Sequence, residues 1–448
     1  VDAAALVVSN VIGVGIFTTP GIVAQIVPQP GAMLALWAVG GVLAFAGASS
    51  YAALAALRPH AGGEYVYLRE AFGPLAGFLT GWTSFVAGFS GAVAAGAVGL
   101  GAYLAHYVPA AGDTRPIFTV PLLVIHLTFS PRNITALVVI TVLSLIHMRG
   151  LGPGRILQNT LAGIAAAALA ALVVLGFGTG NGSFEHMTES AGDVRFLGWL
   201  LALVAVMFTY SGWNAAAYVA EEVRDPERNV PRALALGTGV VIALYLSLNL
   251  LYVYALPVER LAGVIQTGEA ATVALFGPRA AVVITPLLLV SLAGSLSAMV
   301  IAGPRVYFAM ARDGVFFAAA ARVHPRYHTP ARAIAAQALW SILLVLSGTF
   351  TQLLIYTGFA VVLFSGLAVL ALFRLRAREP GARAGWGYPV LPALFVVASL
   401  AMVVNAIREK PGPSAAGLVL MAAGVPLYFW KARRREFARN SREAITRP

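Results

Sequence analysis

The 448-residue chain contains no cysteine, which excludes disulfides, thiol catalysis and thiolate metal sites. Charge is scarce too: 11% of residues are charged, against about 25% in soluble domains. Lysine occurs only at Lys410 and Lys431. The histidines, His60, His106, His126, His147, His186, His324 and His328, form no H-E-x-x-H pattern, so no zincin-like metal helix is expected. No loop is long enough for a separate domain. No basic segment and cleavage site precede the first apolar run at Val1-Asp2-Ala3, so no signal peptide is read there. The missing initiator methionine suggests a chain trimmed at its N-terminus.

What fills the chain is apolar. Hydrophobic residues make up 59% and the mean hydropathy is +0.82. A membrane-crossing helix needs about 20 mostly apolar residues. The spacing predicts twelve such spans, at 3–27, 31–57, 74–106, 134–147, 156–178, 196–220, 233–254, 280–310, 331–346, 351–373, 388–405 and 415–430. The short apolar stretch at 117–129 reads as an external or re-entrant segment.

The net charge of +12 is placed unevenly. With both termini cytoplasmic, the outer loops hold Arg115, Arg132, Arg195, Arg260, Arg279, Arg408 and Lys410, which is 7 of the 30 lysines and arginines. The other 23 fall inside, among them Arg224, Arg228, Arg232, Arg312, Arg374 and the tail 431–448. Positive residues gather on the cytoplasmic side of membrane proteins. The basic tail is therefore read as a topology determinant near anionic lipid rather than a nucleic-acid binder.

Two spans carry breaks. Span one has Gly13-Val14-Gly15 in its middle and Pro20-Gly21 beyond; span six has Ser211-Gly212-Trp213-Asn214. Glycine and proline weaken a helix interior, and in lipid such a break must face protein or a water-filled cavity. Corresponding breaks in two halves of a membrane chain mark a transporter binding site. Freed amides at a half-helix start suit a carboxylate, and freed carbonyls suit an ammonium. A zwitterion fits both. The competing reading is that Gly13 and Gly15 only allow close helix packing.

Three further elements accompany the breaks. Pro59-His60-Ala61-Gly62-Gly63-Glu64-Tyr65 follows span two, Glu221-Glu222 through Asn229-Val230-Pro231 follows span six, and Gly303-Pro304-Arg305 through Asp313-Gly314 ends span eight. Together with Gly13-Val14-Gly15-Ile16-Phe17, these resemble the amino acid–polyamine–organocation superfamily, within it the L-amino acid transporter-like branch, over essentially the whole chain. The resemblance implies an all-α membrane protein with a LeuT-like core of two inverted five-helix repeats, 3–178 and 196–373, and two peripheral helices at 388–430. It implies alternating access, a site in the cell's inner membrane, and no cofactor. By position, the amides of Val14 and Gly15 beside Gly13 would hold the substrate carboxylate. The carbonyls of Val11, Ile12, Phe208 and Ser211 would hold the ammonium. Phe208 would gate the site and Asn214 would brace the break or line the pocket. Val14 stands where the family has serine, so the hydroxyl is lost and the amide remains.

Intramembrane carboxylates are costly, so they are informative. None lies in spans one to five, and Glu221 and Glu222 are expected to organise the inner loop with Arg224, Arg228 and Arg232. A cationic side chain would want a buried carboxylate partner, so neutral amino acids are favoured over cationic ones and polyamines. In span five, where relatives often carry a sodium-replacing lysine, Ala165 stands. Ser297 could offer an oxygen at an ion site or simply pack. Exchange or facilitated movement without an obligatory ion follows as the expectation, with proton-coupled uptake as the alternative. A membrane enzyme would need a convergent set of acids or histidines, which the spans do not show. A sensor would need long soluble domains. The family's animal relatives join a partner glycoprotein through cysteine, a linkage impossible here.

Overall fold

The structure is a computed structural model that describes residues 2–122, 125–348, 350–379, 381 and 385–431. Most of the basic tail therefore lies outside the described residues.

The first span is two helices, α1 (Asp2–Val11) and α2 (Gly15–Ile26). α3 (Pro30–Leu57) starts on a proline, which suits the first helical position, and stops before Pro59. A short helix, α4 (Glu64–Phe72), follows the Gly62-Gly63 pair. Both glycines have positive φ, 112° and 48°, and this reverses the chain so that α4 tucks back against the body. α5 (Pro74–Thr83) and α6 (Phe89–Leu104) form the third span, joined by a π-helical turn over Ser84–Gly88. β1 (Phe118–Leu122) and β2 (Ile125–Phe129) pair antiparallel, with Phe118 opposite Phe129. The segment expected to be external or re-entrant is thus a hairpin. α7 (Pro131–Met148) begins where the Ser130 side chain accepts the Asn133 amide at 3.2 Å. α8 (Leu151–Thr179) completes this half.

The sixth span is broken as the first is, into α9 (Phe196–Tyr210) and the short α10 (Ala215–Tyr218). Then come α11 (Pro226–Ala255), the small α12 (Val258–Leu261) and α13 (Thr267–Phe276), and α14 (Ala281–Arg312). α15 (Ala331–Ser347), α16 (Phe350–Arg378), α17 (Val390–Glu409) and α18 (Pro411–Ala422) end the order.

Among the described residues ten helices are long and apolar enough to cross a membrane, and Phe196–Tyr210 and Ala331–Ser347 are shorter apolar ones. Large apolar side chains such as Val138, Val174 and Val397 are exposed on the outer faces, which suits lipid contact. The body is an all-α multi-pass membrane protein. α1 packs against α8, α11 and α14, and α2 packs against α9, so the two broken spans lie together inside the helix ring.

Candidate functional site

The breaks face one cavity of about 220 Å3. Ligand pockets for drug-sized molecules commonly run about 300–1,000 Å3, so this space suits a small solute. Its wall takes Val11, Gly13, Val14 and Gly15 from the first break, and Phe208, Ser211, Gly212 and Asn214 from the second. The π turn contributes Ser84 and Gly88. π-turns insert a residue into a helix and recur at functional sites. Here the Ser84 carbonyl accepts the Tyr307 hydroxyl at 3.1 Å. Nothing in the local sequence marks this turn beyond small residues in mid-span.

The breaks touch each other. The Asn10 side chain donates to the Gly212 carbonyl at 3.3 Å. Gly212 has φ of 107°, and a Cβ there would lie 2.6 Å from Asn10 Nδ2. Glycine is therefore required twice over at this position. A Cβ at Gly13 would meet Ser295 Oγ at 2.9 Å, and one at Gly15 would meet Thr209 Cγ2 and Oγ1 at 2.9 Å. Close packing and the cavity wall are both served by these two glycines. The two readings of them do not compete.

Several backbone groups assigned to the ammonium already have partners. The Val11 carbonyl accepts the Tyr245 hydroxyl at 2.7 Å, and the Phe208 carbonyl accepts the Ser211 amide at 3.0 Å. Ile12 is fully buried and is not on the cavity wall. The Val14 carbonyl accepts from the Phe17 amide and the Thr18 hydroxyl, both at 3.1 Å, turning the chain into α2.

The two ion-site positions lie off the cavity. Ala165 is buried in α8 and has no side-chain oxygen. Ser297, fully buried in α14, is 2.8 Å from His147 Nε2. His324 and His328 are four residues apart but occupy a turn, not a helix, with His328 at φ 52°. No cluster of three or more acids or histidines that could hold a metal occurs among the described residues.

Two expectations about acids are corrected. Glu221 and Glu222 do not pair with Arg224, Arg228 and Arg232. Glu222 binds Arg305 at 2.9 Å and Glu221 binds Arg312 at 3.1 Å, both from the end of α14. The 3₁₀ turn Ala220–Glu222 follows α10 directly, and α10 packs on α14, so these arginines come within reach first. The larger correction is Glu64. In sequence it belongs to the connection between spans two and three. The chain reversal at Gly62-Gly63 carries it into the cavity wall.

Glu64 is 8% exposed, and its Oε1 accepts the Tyr51 hydroxyl at 2.5 Å, Asn214 Nδ2 at 2.9 Å and the Ser365 hydroxyl at 3.4 Å. Burial pushes this carboxyl above its usual range, while the hydrogen bonds from Tyr51, Asn214 and Ser365 partly offset that rise. Asn214, a residue of the second break, thus reaches away from the break to a carboxylate and to the Tyr218 hydroxyl at 3.0 Å.

The amino acid permease family model matches residues 1–429. The chain is 28% identical to the serine/threonine exchanger SteT of Bacillus subtilis (strain 168) over 97% of its own length and 96% of that protein's. It is 29% identical to the human cystine/glutamate transporter, covering 99% of the chain and 87% of the relative. It is 27% identical to the rat large neutral amino acids transporter small subunit 2, covering 96% and 79%.

Proposed function

The chain belongs to the amino acid permease family, and on that premise we propose that it exchanges small neutral L-amino acids across the cytoplasmic membrane. The observation that carries this reading is the meeting of two helix breaks on one cavity. α2 starts there, so its free amides and dipole favour a carboxylate. α9 ends there, so its last carbonyls favour an ammonium. In this reading Val14 and Gly15 hold the carboxylate, carbonyls of the two breaks such as that of Ser211 hold the ammonium, and Phe208 covers the site. The mostly apolar lining, including Val14, Phe89, Met207, Leu292, Leu296 and Met299, supports an uncharged substrate side chain. Glu64 stands on the same wall, and neutral donors rather than a cation meet its Oε1.

In the same reading the two broken spans head two inverted five-helix repeats, 3–178 and 196–373. Twelve membrane crossings put both termini in the cytoplasm. Exchange is supported by one relative, a serine/threonine exchanger. The uncharged α8 face, with Ala165 in place of lysine, supports movement that needs no ion gradient.

The test is counterflow in proteoliposomes. Vesicles are loaded with one unlabelled amino acid at a time and uptake of the labelled form is followed. Neutral amino acids should drive rapid exchange, and lysine, arginine and putrescine should not. Uptake driven by a sodium or proton gradient into empty vesicles would sink the exchange reading.

A further inference from the structure

Among the described residues the cavity wall holds two side chains that ionise, Glu64 and Tyr218, and of these Glu64 is the carboxyl. We propose that Glu64 is a proton site linked to cavity occupancy: it takes up a proton when an amino acid enters and gives it back to water when the cavity empties. The proposal rests on the amino acid exchange reading above and adds a second, exchangeable ligand to the same site.

The geometry supplies the reason. A buried carboxylate without a cation is costly, and neutral hydrogen-bond donors reduce that cost without cancelling it. The groups facing Glu64 are all neutral. α3 brings Tyr51, the second break and α10 bring Asn214 and Tyr218, and α16 brings Ser365. Tyr67 on its own helix and Tyr307 on α14 stand behind these. α5 contributes the uncharged Thr80 and Thr83 to the shared wall. Among the described residues no arginine, lysine or histidine pairs with Glu64. The nearby cations are committed elsewhere, Arg58 to Glu70 and Glu379, Arg69 to Asp313, and Arg305 to Glu222. Burial without a cation favours the neutral form, and water in the cavity favours the charged one. A substrate that displaces this water removes solvation from the charged form and favours the neutral one. A proton then moves from solvent to a Glu64 carboxylate oxygen, and returns when water does. The switch also reaches the moving part. A neutral carboxyl is a weaker acceptor for Asn214, so protonation loosens the tie between α4 and the second break.

Titration calorimetry on the purified chain tests this, with L-serine, L-alanine and L-leucine as probes in buffers of different ionisation heat. The expected result is a binding heat that varies with the buffer and reports proton uptake, up to about one per amino acid bound, with no such variation in Glu64→Gln. Tyr51→Phe removes a donor that favours the charged form, so its uptake profile should shift to higher pH. This second variant keeps the test decisive if Glu64→Gln does not fold. Binding with the same heat in every buffer overturns the proposal and leaves the exchange reading intact. So does an unshifted profile in Tyr51→Phe, or uptake that persists in Glu64→Gln. Failure of every neutral amino acid to bind overturns both readings.

Discussion

One added methyl group separates Gly13 from Gly15. At Gly13 it meets Ser295 Oγ at 2.9 Å and the next atom at 3.5 Å, so a rotation of Ser295 can admit it. At Gly15 it meets Cγ2, Oγ1 and Cβ of Thr209, all within 3.1 Å, and no rotation clears all three. Overpacking of this kind costs about 1–3 kcal/mol. Gly15→Ala should therefore lower exchange by tenfold or more in counterflow, while Gly13→Ala keeps most of it; equal rates would refute the distinction. Glu64 gives a second prediction. Burial raises its folded-state value above 4.5, so the folded chain keeps the proton after the unfolded chain has lost it. That stabilisation is complete below 4.5 and fades as pH rises through the folded value. Glu64→Gln should match the natural chain's melting temperature at acid pH and exceed it at neutral pH. Glu64 was also the residue least visible in the sequence. Its neighbours read as a polar connection, and its depth comes from a reversal at two positive-φ glycines and from partners 13, 150 and 301 residues away.

The elements themselves were legible, because apolar length and mid-span glycine leave local traces. Both breaks fall where Gly13-Val14-Gly15 and Ser211-Gly212 stand. The π turn at Ser84–Gly88 was not legible, since its carbonyls find donors on helices distant in sequence, Tyr307 for Ser84 and Trp340 for Val86. The hairpin is not legible, because neither five-residue strand is long enough to show its period apart from its partner. At this scale the aromatic at the end of α9 can be tested. Phe208 is half-buried on the cavity wall, so Phe208→Ala removes little core packing. Exchange should fall several-fold while the melting temperature stays within a few degrees. A large drop in both would make Phe208 a core residue rather than a gate.

Across the whole molecule, ion pairs tie one face together. Arg58 links α3 to Glu379 beyond α16, Arg69 links α4 to Asp313, and Arg305 and Arg312 link α14 to Glu222 and Glu221. Their positions explain why charge counting alone does not pair the acids. Pairing depends on which helices meet. The links are unequal. Arg305 is 5% exposed though its partner Glu222 is 36% exposed, whereas Arg69 and Asp313 are 30% and 34% exposed, so removing Glu222 strands a buried cation and removing Asp313 does not. Exposed pairs contribute about 0–1 kcal/mol, and leaving a buried charge without its partner costs more. Glu222→Gln should therefore destabilise the chain clearly more than Asp313→Asn, as read by thermal unfolding in detergent. The reverse order would show that burial of Arg305 does not govern the pair.

The contact between Asn10 and Gly212 bears on inhibition. The two breaks meet closely there, with the Asn10 side chain on the Gly212 carbonyl and no room for a Cβ at Gly212. On the proposed reading, a zwitterion with an oversized side chain that engages both breaks should wedge this contact apart and act as a blocker instead of cargo. Along a series of lengthening side chains, the point where cargo becomes blocker measures the slack in that single contact.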